Sequence, residues 1–229
     1  MSTTTRLFLH GSGMGAWVWE RVLPLVEGSN LALDLPSLDR DLTPQASAKN
    51  IVSDLDRRGV TNVHIVLHSL SGILAPDLGQ ALGSRLHGLT FVAGVVPEPG
   101  QSFAEAQGFP VSLILPVLFA FNHEGIKPSD DVLRKAYGND LSEGDQQMII
   151  DRCLRDRPAM DLTKITAAVP DVPTVYVRTT LDHSLTPSHQ DKMIGRLRAP
   201  RVIDIDAGHL VMLSQPQALA KAVAAMELV

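Results

Sequence analysis

Four short segments of the chain combine side chains suited to acyl transfer, and each follows an apolar run. His10-Gly-Ser-Gly-Met-Gly15 follows the first run, His68-Ser-Leu-Ser-Gly72 the third, Thr180-Leu-Asp-His183 the fifth and Ala207-Gly-His209 the sixth. A serine hydroxyl is a weak nucleophile until a base removes its proton, and histidine suits that role at neutral pH. A carboxylate orients the imidazole and fixes its tautomer. Together these segments predict a nucleophilic acyl-transfer site.

The apolar runs themselves are short and rich in Val, Ile and Leu, without strict polar alternation. This pattern is typical of strands buried on both faces of a parallel sheet, and it predicts strands at 7–10, 31–34, 63–67, 89–93, 175–177 and 202–205. Helical patterns alternate with the strands, at 43–58 after Thr43-Pro44, at 70–82, at 186–197 and from 214 to the C-terminus. The alternation predicts an α/β fold with an open, doubly wound, mostly parallel sheet of about six strands.

Segment 97–166 interrupts the alternation with helical periodicity and no strand pattern. Ser142-Glu-Gly-Asp145 resembles a capping box within it. We expect residues 1–96 and 167–229 to form the core domain and 97–166 to form a helical lid between the fourth and fifth strands. Most of the lid's large apolar side chains should pack inside it and a few should line an apolar pocket. These side chains are Phe103, Phe109, Leu113, Leu115, Leu118, Phe119, Phe121 and Met160.

The position of the polar residues relative to the strands decides which of them can meet. Ligands of open α/β sheets bind beyond the carboxyl ends of the strands, and Ser69, Asp182 and His209 each come just after a strand. Their order, serine, acid and histidine, accompanies a nucleophile on a strand–turn–helix junction. Glu98, after the fourth strand, is a rival for the acid.

Each of these residues also has a purely structural interpretation. A serine after a strand is commonly a turn or cap residue, Asp182 could make an Asx turn, and His209 could simply precede a helix. The presence of all three partners, in order and after the right elements, favours the catalytic interpretation of Ser69.

With these residues in place, the chain resembles the α/β-hydrolase superfamily, in particular its small-lidded group of plant methyl esterases and hydroxynitrile lyases. Segment 10–19, with its paired Trp17 and Trp19, is similar to the group's first-strand motif, and His68-Ser-Leu70 is similar to its nucleophile turn. The resemblance implies a Ser69–Asp182–His209 triad.

The resemblance further implies how the substrate carbonyl is bound. The backbone N–H groups of Ser12 and Leu70 would form the oxyanion hole, and Gly11 would leave room for the carbonyl to approach. The chain departs from the family's G-x-S-x-G turn, because Leu67 and Ser71 replace the two glycines. Ser71 is small enough to fit, whereas Leu67 predicts an altered neighbour or a looser turn.

The composition argues against several other classes of protein. The 229 residues carry a net charge of −5 and no basic run, so we expect no nucleic-acid partner. No signal peptide is readable, and the longest apolar run, 111–121, is too short to span a bilayer, so we expect a cytoplasmic protein without a membrane partner. Cys153, the one cysteine, lies in an apolar stretch and predicts a buried thiol. No metal or nucleotide motif is readable, so we expect neither metal nor cofactor.

The leading hypothesis is a serine esterase that cleaves a small to medium, largely apolar carboxylic ester through an acyl-enzyme. The alternatives are a lyase or another cofactor-free activity on the same triad, and a non-catalytic receptor for a small ligand. The resembling lyases carry Thr where this chain has Gly11 and Lys where it has Leu210, which implies that this chain is not one of them. The choice among methyl ester, lactone, thioester and amide stays open, as does the oligomeric state.

Overall fold

Six parallel strands form one open sheet in the computed structural model, which describes residues 4–36 and 41–228. The spatial order of the strands is β2-β1-β3-β4-β5-β6, and every neighbouring pair is parallel. The α/β sheet predicted from the sequence is therefore confirmed, with all pairs parallel instead of most. The strands are β1 Thr5–Leu9, β2 Ser29–Leu33, β3 Val63–His68, β4 Leu86–Val92, β5 Thr174–Thr179 and β6 Arg201–Ile205.

Ten α-helices accompany the sheet in the described part of the chain. They are α1 Pro44–Arg57, α2 Ala75–Leu82, α3 Phe103–Ala106, α4 Val111–Phe121, α5 Asp130–Val132, α6 Glu143–Arg152, α7 Pro158–Leu162, α8 Pro187–Ile194, α9 Val211–Ser214 and α10 Pro216–Ala224. Short 3₁₀ turns lie at Ala16–Trp19, Leu23–Leu25, Ser69–Leu74, Gly83–Arg85 and Ala225–Leu228, and a π-helical turn lies at Leu133–Tyr137. None of the helices among these residues is long and apolar enough to cross a membrane.

The two faces of the sheet carry separate apolar cores because successive side chains of a strand point to opposite faces. In β1, Leu7 and Leu9 pack with α1, α2 and α8 on one face, together with α3 and α7. Phe8 points the other way and packs with α6, α9 and α10. The strands are thus held in place from both sides, which fixes the positions of the loops at their carboxyl ends.

The helix boundaries follow the sequence signals with two differences. The Thr43 hydroxyl accepts the N–H of Ala46 at 3.3 Å, and Pro44 is the first residue of α1, as predicted. The helix expected over 70–82 begins instead as a 3₁₀ turn, Ser69–Leu74, before α2. The helix expected to reach 197 ends as α8 at Ile194.

The segment between β4 and β5 contains α3 to α7 and no strand among its described residues. Three of its helices, α3, α5 and α6, begin with side-chain caps, whereas α4 and α7 have none in the described part of the chain. At the start of α6, Ser142 accepts the N–H of Asp145 at 3.2 Å. Ser102 and Glu105 form a reciprocal capping box at the start of α3. Local sequence signals therefore determine where these helices begin.

Candidate active site

Ser69 lies at the junction between β3 and the following 3₁₀ turn. Its φ of 52° is in the left-handed region, which is strained for a residue with a side chain. The Ser69 carbonyl accepts the N–H of Val95 at 2.9 Å, so the residues after β4 hold this junction in place. The side chain is nearly buried, with 5% of the residue exposed.

The two residues that replace the usual glycines are accommodated without disrupting β3. Leu67 is fully buried within regular strand pairing and packs in the apolar core. The Ser71 hydroxyl lies 2.9 Å from the carbonyl oxygen of His68 and 3.1 Å from that of Leu9. The close backbone approach falls one residue later, because a Cβ on Gly72 would lie 2.4 Å from the carbonyl oxygen of Val95. Ser71 therefore ties the turn to β1, and Gly72 provides the space.

The structure joins all three predicted triad residues in one chain of hydrogen bonds. The Oγ of Ser69 lies 2.9 Å from Nε2 of His209, and Nδ1 of His209 lies 2.8 Å from Oδ2 of Asp182. His209 follows β6 and Asp182 follows β5, so the carboxyl edge of the sheet brings them to Ser69. Because a carboxylate can only accept, Nδ1 carries the proton and Nε2 is free to accept from the serine.

Asp182 is held by hydrogen bonds to both of its oxygens. Oδ1 accepts the N–H groups of Ser184 and Leu185, each at 2.8 Å, and Oδ2 accepts the Thr179 hydroxyl at 2.9 Å. The side chain therefore makes the Asx-type turn that a purely structural role would require. It also binds His209, so both roles predicted for Asp182 are compatible with its geometry. These bonds fix the carboxylate against the imidazole.

Glu98, the rival acid, lies elsewhere. Its side chain is 61% exposed and pairs with Arg196 at 3.7 Å. It makes no hydrogen bond to His209 among the described residues, whereas Asp182 does.

Two further histidines, His68 and His10, hold the backbone around the site by hydrogen bonds. Nε2 of His68 donates to the carbonyl oxygen of His209 at 3.0 Å, and burial together with the nearby His209 lowers the pKa of His68 well below its usual value. His10 accepts the N–H of Leu35 through Nε2 and donates from Nδ1 to the carbonyl of Gly11, both at 2.9 Å. Burial lowers the pKa of His10 to about 4. Both rings are therefore neutral at pH 7 and serve as hydrogen-bonding supports.

The loop after β1 lies against the serine, because a Cβ on Gly11 would lie 2.7 Å from the Cβ of Ser69. Met14 donates to the carbonyl of Gly11 at 3.3 Å, which places Ser12 and Gly13 in the centre of a tight turn. Gly13 donates its N–H to Asp156 at 2.9 Å, and the Ser12 hydroxyl donates to the same carboxylate. The N–H of Ser12 is thus the remaining donor of this turn. Leu70 lies in the first turn of the 3₁₀ segment, where N–H groups have no partner within the helix.

A cavity of about 280 Å³ lies beside the triad. Phe103, Leu115 and Phe119 of the eight predicted lid residues line it. The expectation that most of the eight pack inside the lid is wrong, because Phe109, Leu113, Leu118 and Phe121 are exposed. Ser69 and His209 are not lining residues. Their neighbours line the cavity instead. Ser12 is one of them, and Tyr137 is another, with its ring centroid 5.4 Å from that of His209.

The sequence did not predict the four titratable residues that line the cavity, which are Tyr137, Asp156, Asp161 and His183. His183 is exposed and also lines the cavity. Burial raises the pKa of Asp156 to about 6. Burial and the nearby Asp156 raise the pKa of Asp161 well above its usual value. No sequence motif marks these acids, because Asp156 meets the β1 loop only through tertiary hydrogen bonds to Ser12 and Gly13, and Asp161 reaches the cavity through the packing of α7 against α3 and α4.

The comparisons with known proteins agree with this fold. The model of the alpha/beta hydrolase family matches residues 7–222, so the chain belongs to the alpha/beta hydrolase family. A search of curated proteins finds no match.

Solved structures with the same fold include several esterases and hydrolases. One is an extracellular alpha/beta-hydrolase from a Paenibacillus species, which is described as homologous in structure and function to tobacco salicylic acid binding protein 2. It is 15% identical to this chain with a TM-score of 0.86, and the match covers 97% of this chain and 98% of that one. A methylesterase from Arabidopsis is 18% identical with a TM-score of 0.75, over 99% and 100% of the two chains. A pyrethroid hydrolase from Sphingobium faniae is 20% identical with a TM-score of 0.68, over 97% and 96%. At these identities the likeness concerns the fold.

Proposed function

We propose that this protein is a serine esterase that cleaves a small to medium carboxylic ester through an acyl-enzyme. The observation that carries the proposal is the unbroken hydrogen-bonded chain from Ser69 through His209 to Asp182. The esterases among the structures of the same fold support it. Cytoplasmic location and the absence of a nucleic-acid or membrane partner stay predictions from the sequence.

The reaction follows from the orientation of the three side chains. His209 Nε2 removes the proton of Ser69 as its oxygen attacks the ester carbonyl, and Asp182 stabilises the imidazolium that forms. The N–H groups of Ser12 and Leu70 stabilise the developing oxyanion. His209 then protonates the departing alkoxide, and a water molecule activated by the same imidazole releases the acid and restores the serine.

The segment between β4 and β5 supplies the pocket in this proposal. Most of the described cavity-lining residues belong to 97–166, including Phe103, Leu115 and Phe119. A cavity of about 280 Å³ with these apolar walls suits the acyl or alcohol group of a medium-sized ester. We therefore assign 97–166 as a lid that selects the substrate and the rest of the chain as the catalytic core.

Covalent labelling tests the proposal directly. The protein is incubated with paraoxon, a phosphate triester that transfers its diethylphosphoryl group to activated serines, and its intact mass is measured. We expect one adduct on the wild type, no adduct on Ser69→Ala, and an adduct on the control Ser188→Ala, whose serine is exposed and outside the site. Labelling of Ser69→Ala at the wild-type rate would overturn the proposal.

A further inference from the structure

Asp161 is a buried carboxyl group with one oxygen that no neighbour among the described residues satisfies. The residue is 2% exposed, it lines the cavity beside the triad, and its Oδ2 has no hydrogen-bond partner among the residues that the structure describes. Asp182, by contrast, accepts several hydrogen bonds, and Asp156 accepts from Ser12 and Gly13. Because nearly all buried polar atoms in folded proteins are paired, an unpaired carboxyl oxygen beside a cavity needs a partner from outside the chain.

The charge around this carboxyl group favours a cationic partner. Asp156 lines the same cavity, and the described lining residues include no Lys or Arg. The exposed His183 is the one base among these lining residues, so the two carboxyl groups make this end of the cavity electronegative when they are ionised. A protonated amine would supply both the missing hydrogen bond and the opposite charge, and charge-assisted bonds of this kind are the strong ones.

The walls of the cavity favour the same ligand. Phe103, Phe119 and Tyr137 all line it, and aromatic faces attract ammonium groups. Val111 and Leu115 add apolar surface for a hydrocarbon body. A divalent metal fits less well, because no third His, Cys, Asp or Glu joins the pair within the described ranges.

We propose that the cavity receives a substrate with an apolar body that carries a protonated amine, and that Asp161 is the counter-charge for this amine. The ligand is a substrate only if the proposed esterase function holds, and the inference rests on that function. It narrows the substrates to esters with a basic nitrogen in the acyl or alcohol group. Asp161 is a binding residue in this account, and the triad carries out the chemistry.

Proton release accompanies this binding. Burial and the neighbouring Asp156 raise the pKa of Asp161, so a proton occupies the empty site more readily than in an exposed aspartate. An ammonium group favours the ionised carboxylate. The amine therefore enters with its own proton while Asp161 gives its proton to solvent, and the charges balance within the site.

The test compares two probes that share one carbon skeleton, 3-phenylpropylamine and 3-phenylpropanol, by titration calorimetry at neutral pH. We expect the amine to bind at least about tenfold more tightly than the alcohol to the wild type, since each tenfold step is about 1.4 kcal/mol. In Asp161→Asn we expect this preference to vanish, while Asp171→Asn, which removes an exposed acid paired with Arg198, keeps it. Repeating the titration in two buffers of different ionisation enthalpy should show proton release for the amine alone.

Equal affinity of the two probes for the wild type would overturn the inference, whether or not Asp161→Asn folds. An amine preference that survives in a folded Asp161→Asn would overturn it as well. Neither probe is an ester, so binding is measured independently of turnover. If the protein hydrolyses esters but shows no preference for the amine, this inference is wrong and the proposed esterase function stands. If the amine binds through Asp161 but no ester is hydrolysed, only the esterase proposal is wrong.

Discussion

Gly11 packs so closely against Ser69 that a Cβ atom at position 11 would lie 2.7 Å from the Cβ of the serine. The same atom would lie 2.8 Å from Nδ1 of His68. Both neighbours are almost fully buried, so neither side chain can move aside freely. The loop after β1 and the nucleophile turn therefore fit together only with glycine at this position.

The first prediction concerns this contact. Gly11→Ala should lower kcat/KM for an ester by about tenfold to a hundredfold, because it displaces Ser69 or the Ser12 N–H, and small misplacements are costly in acyl transfer. Gly144→Ala is the matched control, since Gly144 is exposed in α6 and a Cβ there meets no atom closer than 4.0 Å. Steady-state kinetics with p-nitrophenyl acetate measure both variants. Full activity of Gly11→Ala would show that the loop adjusts.

The second prediction is that the protein does not release cyanide from mandelonitrile. The resembling lyases carry Thr at the Gly11 position and Lys at that of Leu210. Here position 11 has no room for a side chain, and Leu210 is fully buried directly after His209, without a charge to stabilise departing cyanide. Cyanide release by the wild type should equal that of Ser69→Ala. A Ser69-dependent excess would contradict this prediction.

The third prediction concerns acyl-chain selection by α4. Leu115→Ala should enlarge the cavity and shift the preference in kcat/KM towards longer chains, with little loss of stability because Leu115 is only partly buried. Phe121→Ala, on the same helix but 83% exposed, should leave the ranking unchanged. Phe119 is a poorer probe, because truncating a buried Phe costs about 3–5 kcal/mol. A series of p-nitrophenyl acetate, butyrate, hexanoate and octanoate gives the ranking, and an unchanged order in Leu115→Ala would show that this residue only packs.

The fourth prediction concerns the pH dependence of stability. The pKa of Asp156 is about 6 in the folded protein and near 3.8 when unfolded, so the folded state holds the proton more tightly. The stabilisation from this bound proton is greatest below pH 4 and is lost as the pH rises through 6. Asp156→Asn removes the titrating group, so the free energy of unfolding of the variant relative to wild type should rise between pH 4 and pH 7.

Urea unfolding at both ends of this pH range measures that difference. Ser188→Ala is the control, because Ser188 is exposed and carries no ionisable group, so its difference should not change with pH. The prediction is contradicted if the free energy of unfolding of Asp156→Asn relative to wild type falls as the pH rises. That result would show that the Asp156 carboxyl ionises more readily in the folded state than in the unfolded state.

Sequence signals were sufficient to predict the sheet and the proximity of the three candidate triad residues, since both depend on local pattern and chain order. Each of the six strands is a short apolar run, and Ser69, Asp182 and His209 each follow one. The carboxyl edge of a parallel sheet then brings them together without further information. The resemblance to a known family added Ser12, Leu70 and Gly11, whose proposed roles depend on backbone atoms that residue types do not reveal.

The cavity shows where sequence reasoning stops. Asp156 meets the loop after β1 through tertiary hydrogen bonds, and Asp161 reaches the same cavity through the packing of α7 against α3 and α4. No spacing or periodicity encodes these contacts. The hydrophobic pattern of α4 also does not distinguish the side chains that line the cavity from those that are exposed, because this helix is apolar on nearly every side. Leu67 in place of glycine suggested a looser turn, and the structure places the needed space at Gly72 instead.

The assignment of the acid is tested by a pair of isosteric variants. Asp182→Asn should lower kcat by a large factor, although by less than loss of the serine, because His209 would then hold the wrong tautomer. Glu98→Gln should leave kcat within about twofold, because Glu98 pairs with Arg196 at the surface. Ester turnover of both purified variants decides the matter. A damaging Glu98→Gln beside an active Asp182→Asn would move the acid to Glu98.

The double-mutant cycle of Ser69→Ala and His209→Ala tests the central claim most directly. The two side chains share one hydrogen bond of 2.9 Å and act in the same proton transfer. Each single variant should lower kcat by at least about a thousandfold with little change in KM, and the double variant should be scarcely worse than either, because losing one member already silences the other. Multiplicative losses in the double variant, or a Ser69→Ala protein that keeps most of its ester turnover, would contradict a serine-esterase mechanism.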